Sequence, residues 1–171
     1  AEDGIRDRDV TGVQTCALPI LIEKKRGSIV SVVSSGMLIN SQGGAYLALR
    51  PNSREQPYMS SKAALANLTC YLADEVAEHN VAANVVVPGH TRTTGFDEQN
   101  RARLERGARL GPRPMVPEHI VPIVMYLASQ DATTVTGHIF DVMTWNVEHG
   151  LGGSERWQDM SVERELLAPS P

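Results

Sequence analysis

This sequence of 171 residues has little cysteine, no long apolar run and no excess of basic residues. Two cysteines, Cys16 and Cys70, are too few for a disulfide framework or a structural zinc site. No apolar run approaches the roughly 20 residues that a membrane-spanning helix needs. Sixteen Lys and Arg against twenty Asp and Glu give a net charge of −4, which offers no electrostatic reason to expect nucleic acid or an anionic membrane as partner. We therefore expect a globular protein of the reducing cytoplasm.

Residues 1–20 show neither a helical nor a strand period. Two strings within them, AEDGIRD and VTGVQTCALPI, resemble translations of the adapter oligonucleotides used in short-read DNA sequencing. The resemblance implies a non-native segment joined to a gene fragment at about Leu21, with the natural protein beginning further upstream. The alternative is an ordinary irregular N-terminus.

Apolar runs and periodic segments alternate over residues 21–142. The runs are apolar throughout rather than alternating, which is typical of parallel strands covered by helices on both faces. The sequence therefore predicts an α/β fold with a doubly wound parallel sheet. Residues 37–57 are predicted to form a long loop and residues 150–171 a tail. The predicted strands are 29–33, 84–87 and 139–142, and the predicted helices are 21–26 (with Gly27 as C-cap), 58–80, 98–106 and 117–129.

A tyrosine and a lysine stand four residues apart at the start of the strongest predicted helix, in YMSSK. This spacing places Tyr58 and Lys62 on one helix face. An ammonium group close to a phenol favours the phenolate and lowers the phenol pKa, so the pair predicts an acid/base site. Ser34 follows a predicted parallel strand, where sites gather in open α/β sheets. The alternative is an ordinary surface Tyr/Lys pair.

Three segments in order resemble the short-chain dehydrogenase/reductase family: GSIVSVVSSG (27–36), YMSSKAALANLTCYLADEVAEHNVAANVVVPGHTRT (58–93) and VPEHIVPIVMYLASQDATTVTGHIFDV (116–142). The resemblance implies a Rossmann-like domain over residues 21–149, of which this chain holds the C-terminal half. It also implies hydride transfer between NAD or NADP and a small alcohol or ketone, in a homodimer or homotetramer.

The resemblance assigns roles to particular residues. Tyr58 is the expected general acid/base, and Lys62 is expected to lower its pKa and to hold the nicotinamide ribose. Alignment from Gly27 without a gap selects Ser34 as the catalytic serine, whereas alignment on the double serine selects Ser35. Ser34 is preferred because a gap inside a buried strand would disturb the register of that strand.

The turn after the second strand is expected to contact the nicotinamide. In the family's pattern Pro88 and Gly89 form this turn, and the Thr91 backbone and the Thr93 hydroxyl face the carboxamide. Residues 94–116 are expected to cover the substrate. His90 is a candidate substrate contact, with an ordinary surface histidine as the alternative.

The sequence also departs from the family pattern. The interval between serine and tyrosine is long, so residues 37–57 are expected to hold an insertion. DVMTWN at 141–146 replaces the frequent Asp-Gly-Gly, and no Gly-rich phosphate-binding turn is present. Two alternatives to an enzyme therefore stay open: a catalytically silent fragment, and a non-enzymatic scaffold of the same fold.

Overall fold

A sheet of strand order β1-β2-β3 organises the described part of the computed structural model, which is residues 16–39 and 56–167. The strands are β1 (Gly27–Val32), β2 (Val81–Val87) and β3 (Ile139–Asp141). β1 and β2 are parallel, in a register that runs from Gly27 opposite Val81 to Val32 opposite Val86. Every residue of β2 is buried, which explains why its sequence is apolar except for Asn84, whose side chain bonds to the backbone of Val135 and His138. The predicted α/β fold with a parallel sheet is confirmed, although β2 begins three residues earlier than predicted.

The chain divides into two compact units, of which the first is Ala1–Val86 with Tyr126–Ile139. Its described helices are α1 (residues 16–24), α2 (Gly36–Ile39) and α3 (Gln56–Val76), and α3 continues into a 3₁₀ turn at Ala77–His79. Leu72, Val76 and Val81 form a core cluster against which Leu18, Leu21 and Ile29 pack. This packing supplies most of the stability of a helix as short as α1.

The start of the chain differs from the sequence prediction in two ways. Residues 16–20 are helical, so the helix predicted at 21–26 extends further towards the N-terminus, because Leu18 and Leu21 pack on the same core cluster. Gly27 does not cap this helix; Lys25 takes the left-handed conformation, with φ of 48°. Gly27 begins β1 instead, where a Cβ atom would lie 2.7 Å from Leu21 Cδ2. Its small size permits the close approach of helix and strand.

The second unit comprises Val87–Met125 and Phe140–Pro171. It contains α4 (Thr94–Glu105) and a 3₁₀ turn at Pro117–Ile120 that leads into α5 (Val121–Ala128), whose last residues belong to the first unit. α4 begins four residues earlier than predicted because the Thr93 side chain caps it, accepting a hydrogen bond from Phe96 N. Pro122 is the second residue of α5, a position where its missing N–H costs no helical hydrogen bond.

The segment predicted as a tail is structured as far as residue 167. It contains α7 (Ser154–Trp157) and α8 (Val162–Leu167). Before it, the DVMTWN departure forms α6 (Val142–Glu148), which is capped by Asp141. Val162 and Leu166 are buried against Phe96. The sequence did not predict this structure because the segment has weak periodicity: only two residues of α8, Val162 and Leu166, are buried.

Some predictions fall outside the described residues. Of the predicted insertion at 37–57, residues 40–55 are outside them, while 37–39 belong to α2 and 56–57 to α3. The proposed junction at about Leu21 stays a prediction, since residues 1–15 are also outside the described part.

Candidate active site

Tyr58 and Lys62 lie in the first turns of α3, as their spacing predicted. The Lys62 Nζ atom is 5.7 Å from the centroid of the Tyr58 ring. The same ammonium group donates a hydrogen bond of 3.1 Å to the Val32 carbonyl oxygen, at the last residue of β1. Lys62 therefore connects the tyrosine face of the helix to the C-terminal end of a parallel strand, where sites gather in this class of sheet.

Two further contacts hold α3 against β1 and the turn after it. The Thr69 and Ser31 hydroxyls share a buried hydrogen bond of 2.8 Å. Gly36 approaches the Met59 side chain so closely that a Cβ atom there would overlap its sulfur. Because Met59 adjoins Tyr58, this packing fixes the start of the helix beside the serine segment.

Ser34 and Ser35 follow β1 within this turn. Ser34 is half-buried, and its hydroxyl accepts a long hydrogen bond of 3.4 Å from Gly36 N, whereas Ser35 is exposed. The Tyr58 side chain is 50% exposed, and its hydroxyl donates no hydrogen bond to the residues that the structure describes. Its oxygen is thus accessible to a ligand, as acid/base chemistry requires.

The turn Pro88–Thr93 follows β2 in the second unit. Gly89 has φ of +75°, a left-handed conformation that favours glycine. Met115 fixes the turn through two backbone bonds: its N–H donates to the His90 carbonyl at 2.8 Å, and its carbonyl accepts from Arg92 N at 2.9 Å. This pattern leaves the N–H and carbonyl of Thr91 directed away from Met115.

The two threonines of this turn suit a carboxamide, which carries both a donor and an acceptor. The Thr91 hydroxyl oxygen is buried and has no partner among the described residues, an arrangement that normally calls for a ligand or water. The Thr93 hydroxyl accepts from Phe96 N at 3.2 Å, so its own O–H remains as a donor. Residues expected to hold a nicotinamide amide therefore fit that group.

His119 and Arg92 are two residues of this unit that sequence reasoning missed. His119 is fully buried, and its two ring nitrogens each lie 2.6 Å from a backbone carbonyl oxygen, of Val116 and of Pro88. Its backbone carbonyl accepts a bond of 2.9 Å from Asn146 Nδ2. In sequence, PEHI resembles an exposed helix start, and no local signal reveals this burial. Arg92 forms ion pairs with Asp97, Asp159 and Glu165.

Other kinds of site are not found in the described ranges 16–39 and 56–167. They contain no group of three His, Cys, Asp or Glu side chains arranged to hold a metal ion, and none of their helices is both long and apolar enough to cross a membrane. Arg101, Arg103, Arg106 and Arg109 are exposed. His90 is also exposed and makes an edge contact with Phe96 at 5.1 Å.

A concave region of about 510 Å³ lies at the opposite end of β1 from Ser34. Its lining is mainly charged and polar and includes Lys24, Arg26, Asn80 and Asp131. None of the predicted site residues contributes to it. We therefore do not assign the chemistry to this cavity.

Comparison with known proteins identifies the family of the chain. A family model described as Enoyl-(Acyl carrier protein) reductase matches residues 10–143. The fluoren-9-ol dehydrogenase of Terrabacter sp. (strain DBF63) is 48% identical over 143 residues, which are 84% of this chain and 40% of that protein. The chain belongs to the short-chain dehydrogenase/reductase family. Carbonyl reductase family member 4 of Xenopus laevis is 32% identical over 76% of this chain and 50% of its own length.

A solved structure supports the same family fold. It is assigned as an NAD(P)-dependent gluconate 5-dehydrogenase from Beutenbergia cavernae and contains bound NADP at low occupancy. It is 30% identical to this chain, with a TM-score of 0.53 over 71% of this chain and 46% of that one. The chain thus spans about half the length of the curated relatives it matches.

Proposed function

We propose that the protein is an NAD- or NADP-dependent oxidoreductase that transfers hydride between the nicotinamide and the carbinol or carbonyl carbon of a small alcohol or ketone. The observation that carries the proposal is the position of Lys62, beside the Tyr58 ring and bonded to the end of β1. Relatives named as a dehydrogenase of fluoren-9-ol and as a carbonyl reductase support this substrate class.

Tyr58 moves the proton in this proposal. During alcohol oxidation the substrate hydroxyl gives its proton to the Tyr58 oxygen, and during ketone reduction the same oxygen returns it. The Lys62 ammonium has three hydrogens, one of which is donated to Val32. Its positive charge is proposed to stabilise the negative charge that develops on the Tyr58 oxygen during proton transfer, and its other hydrogens are proposed to bind the ribose hydroxyls of the cofactor.

Ser34 orients the substrate oxygen by hydrogen bonding in our proposal. Its half-buried position, two residues after the end of β1, supports it over the exposed Ser35. The nicotinamide, when bound, supplies or accepts the hydride. Independently, the outward backbone groups of Thr91 and the Thr93 hydroxyl are proposed to bind the carboxamide, with Pro88 and Gly89 shaping their turn.

The test compares two tyrosine-to-phenylalanine variants of the same helix. Tyr71 is also on α3 and is 67% exposed, so Tyr71→Phe is the matched control. Turnover of secondary alcohols and ketones with NAD(H) and NADP(H) is measured alongside calorimetric titration with NADH and NADPH. We expect Tyr58→Phe to abolish turnover without weakening nicotinamide binding, and Tyr71→Phe to change neither. Wild-type turnover by Tyr58→Phe would refute the assignment.

A catalytically silent chain is the second candidate, favoured by the half-length coverage of the relatives. If this candidate is correct, the same experiment will show no nicotinamide binding and no turnover. A non-enzymatic scaffold is disfavoured because both Tyr58 and Lys62 are present. The homodimer or homotetramer and the cytoplasmic location remain predictions of the sequence.

A further inference from the structure

Arg92 uses all five of its N–H groups within the second unit. Its Nε and Nη2 donate to the Asp97 carboxylate, each at 3.0 Å. Its Nη1 donates at 2.9 Å to both Asp159 and the Ser161 hydroxyl, and its Nη2 also donates to Glu165 at 2.7 Å. A guanidinium group has five donors in a fixed plane, so each donor has an acceptor here.

The cluster gathers three carboxylates around one cation in a largely enclosed position. The side chains of Arg92 and Asp159 are only 15% and 13% exposed. Hydrogen bonds from Arg92 and then Ser161 lower the pKa of Glu165. Lysine carries a compact charge with three donors, so it cannot reproduce this planar set of five bonds.

The acceptors come from two separate parts of the chain. Asp97 lies in α4, whereas Asp159, Ser161 and Glu165 belong to the C-terminal segment, which we define as residues 157–166. This segment makes further contacts with residues 94–116. Trp157 O accepts from Val116 N at 2.8 Å, Asp159 N donates to Pro114 O at 2.8 Å, Arg113 pairs with Glu163 at 2.7 Å, and Val162 and Leu166 pack on Phe96.

The family match ends at residue 143. The C-terminal segment therefore lies beyond the part of the chain that the family model describes, and so do three of the acceptors of Arg92. Arg92 itself stands between Thr91 and Thr93, the two residues of the turn that suit a carboxamide. One guanidinium group thus connects the turn after β2 to a segment beyond the matched residues.

We infer that Arg92 is a positioning residue that docks the C-terminal segment on α4 and holds the Thr91–Thr93 turn in place. The consequence is that the C-terminal segment helps to shape residues 94–116. That these residues cover a substrate rests on the proposed function, but the docking itself does not. Arg92 acts through its neighbours and needs no contact with the substrate or cofactor.

Hydrogen exchange of the full chain tests this inference. In Arg92→Ala we expect amide protection in the C-terminal segment and in α4 to fall at least about tenfold, as expected for the loss of a charge-assisted hydrogen bond. Protection in β2 should persist, because its core does not include Arg92. Arg109→Ala removes an exposed arginine of the same unit and should change none of these rates.

Chemical rescue separates a guanidinium role from simple packing. Added methylguanidinium should restore protection of the C-terminal segment in Arg92→Ala, whereas urea at the same concentration should not. Arg92→Lys should remain close to Arg92→Ala. Wild-type protection in Arg92→Ala, or equal effects of methylguanidinium and urea, would overturn the inference.

A milder variant serves if Arg92→Ala fails to fold. Glu165 is about half exposed, so Glu165→Gln removes one charged acceptor without leaving a buried gap. It should lower protection in the C-terminal segment alone, and unchanged protection would contradict the docking. Hydrogen exchange can be measured on a protein without turnover. Failure of the proposed function would therefore leave this result unchanged, and it can be distinguished from failure of the docking inference.

Discussion

The Lys62 ammonium group donates to the Val32 carbonyl oxygen at 3.1 Å while lying 5.7 Å from the Tyr58 ring. One side chain thus joins the end of a buried strand to the face of the helix that carries the tyrosine. A hydrogen bond with a charged donor is stronger than one between neutral groups. The bond to Val32 therefore restricts where the ammonium group can lie. Its position near the phenol follows from the backbone of β1.

Removing this ammonium group should impair chemistry far more than folding. We expect Lys62→Met to reduce turnover by about a hundredfold or more, in the range of a lost acid/base contribution, and to weaken nicotinamide binding. Lys24→Met removes an exposed lysine of α1 and serves as the control. Steady-state kinetics and calorimetry check both variants. Turnover by Lys62→Met equal to that of Lys24→Met would show that the ammonium has no role.

The left-handed backbone at Gly89 predicts a stability difference between two glycines. Gly89→Ala forces an L-residue to φ of +75° and places its Cβ 2.9 Å from Met115 Cε, so we expect a loss of about 1–2 kcal/mol in the free energy of unfolding. Gly95 is helical, and its added Cβ would be 3.9 Å from the nearest atom, Thr93 Oγ1. Gly95→Ala should therefore stabilise by about 0.5–1 kcal/mol. Urea titration measures both, and equal values would contradict the turn geometry.

Local patterns in the sequence were sufficient for the sheet and for the tyrosine–lysine pair. β2 is buried along its whole length, so its apolar run had no competing periodic interpretation. Tyr58 and Lys62 share a helix, and their spacing alone determines that they share a face. Predictions of this kind need no knowledge of distant residues.

The sequence did not predict contacts between residues that are far apart along the chain. Arg92 and Asp159 are 67 positions apart. No repeating pattern in the sequence indicates that an arginine after a strand pairs with carboxylates so far along the chain. His119 lies in a polar 3₁₀ turn, yet it is fully buried because Pro88 and Val116 offer it carbonyl oxygens. Only tertiary packing decides that a polar residue of this kind belongs inside.

The burial of His119 predicts a large cost on its removal. His119→Leu leaves the carbonyl oxygens of Val116 and Pro88 without their imidazole partner, so we expect a loss of about 2–4 kcal/mol in the free energy of unfolding. The His79 side chain, in the 3₁₀ turn at Ala77–His79, is 33% exposed, and its Nε2 lies 3.4 Å from the adjacent Glu78 carboxylate. His79→Leu should change stability by less than about 0.5 kcal/mol. If urea denaturation gives the two variants equal stability, the buried bonds of His119 contribute nothing.

The carboxylates around Arg92 predict how its contribution depends on pH. Burial raises the pKa of Asp159, but hydrogen bonds from Ser161 and Arg92 outweigh it and hold that pKa below its ordinary value of 3.8. The pKa of Glu165 likewise lies below its ordinary 4.5. A group with a depressed folded-state pKa contributes stability above its unfolded pKa and loses it as the pH falls through the folded value.

Arg92→Gln isolates this dependence, because other titrating groups affect the wild type and the variant alike. We expect a large difference in unfolding free energy between the two proteins at about pH 7, narrowing steadily towards about pH 3 as Asp159 and Glu165 take up protons. Urea unfolding across this range measures the difference, and Arg109→Gln provides a comparison with no expected pH dependence. A wild-type advantage that stays constant down to the acid end would mean that Arg92 stabilises the unit by packing and not through its carboxylates.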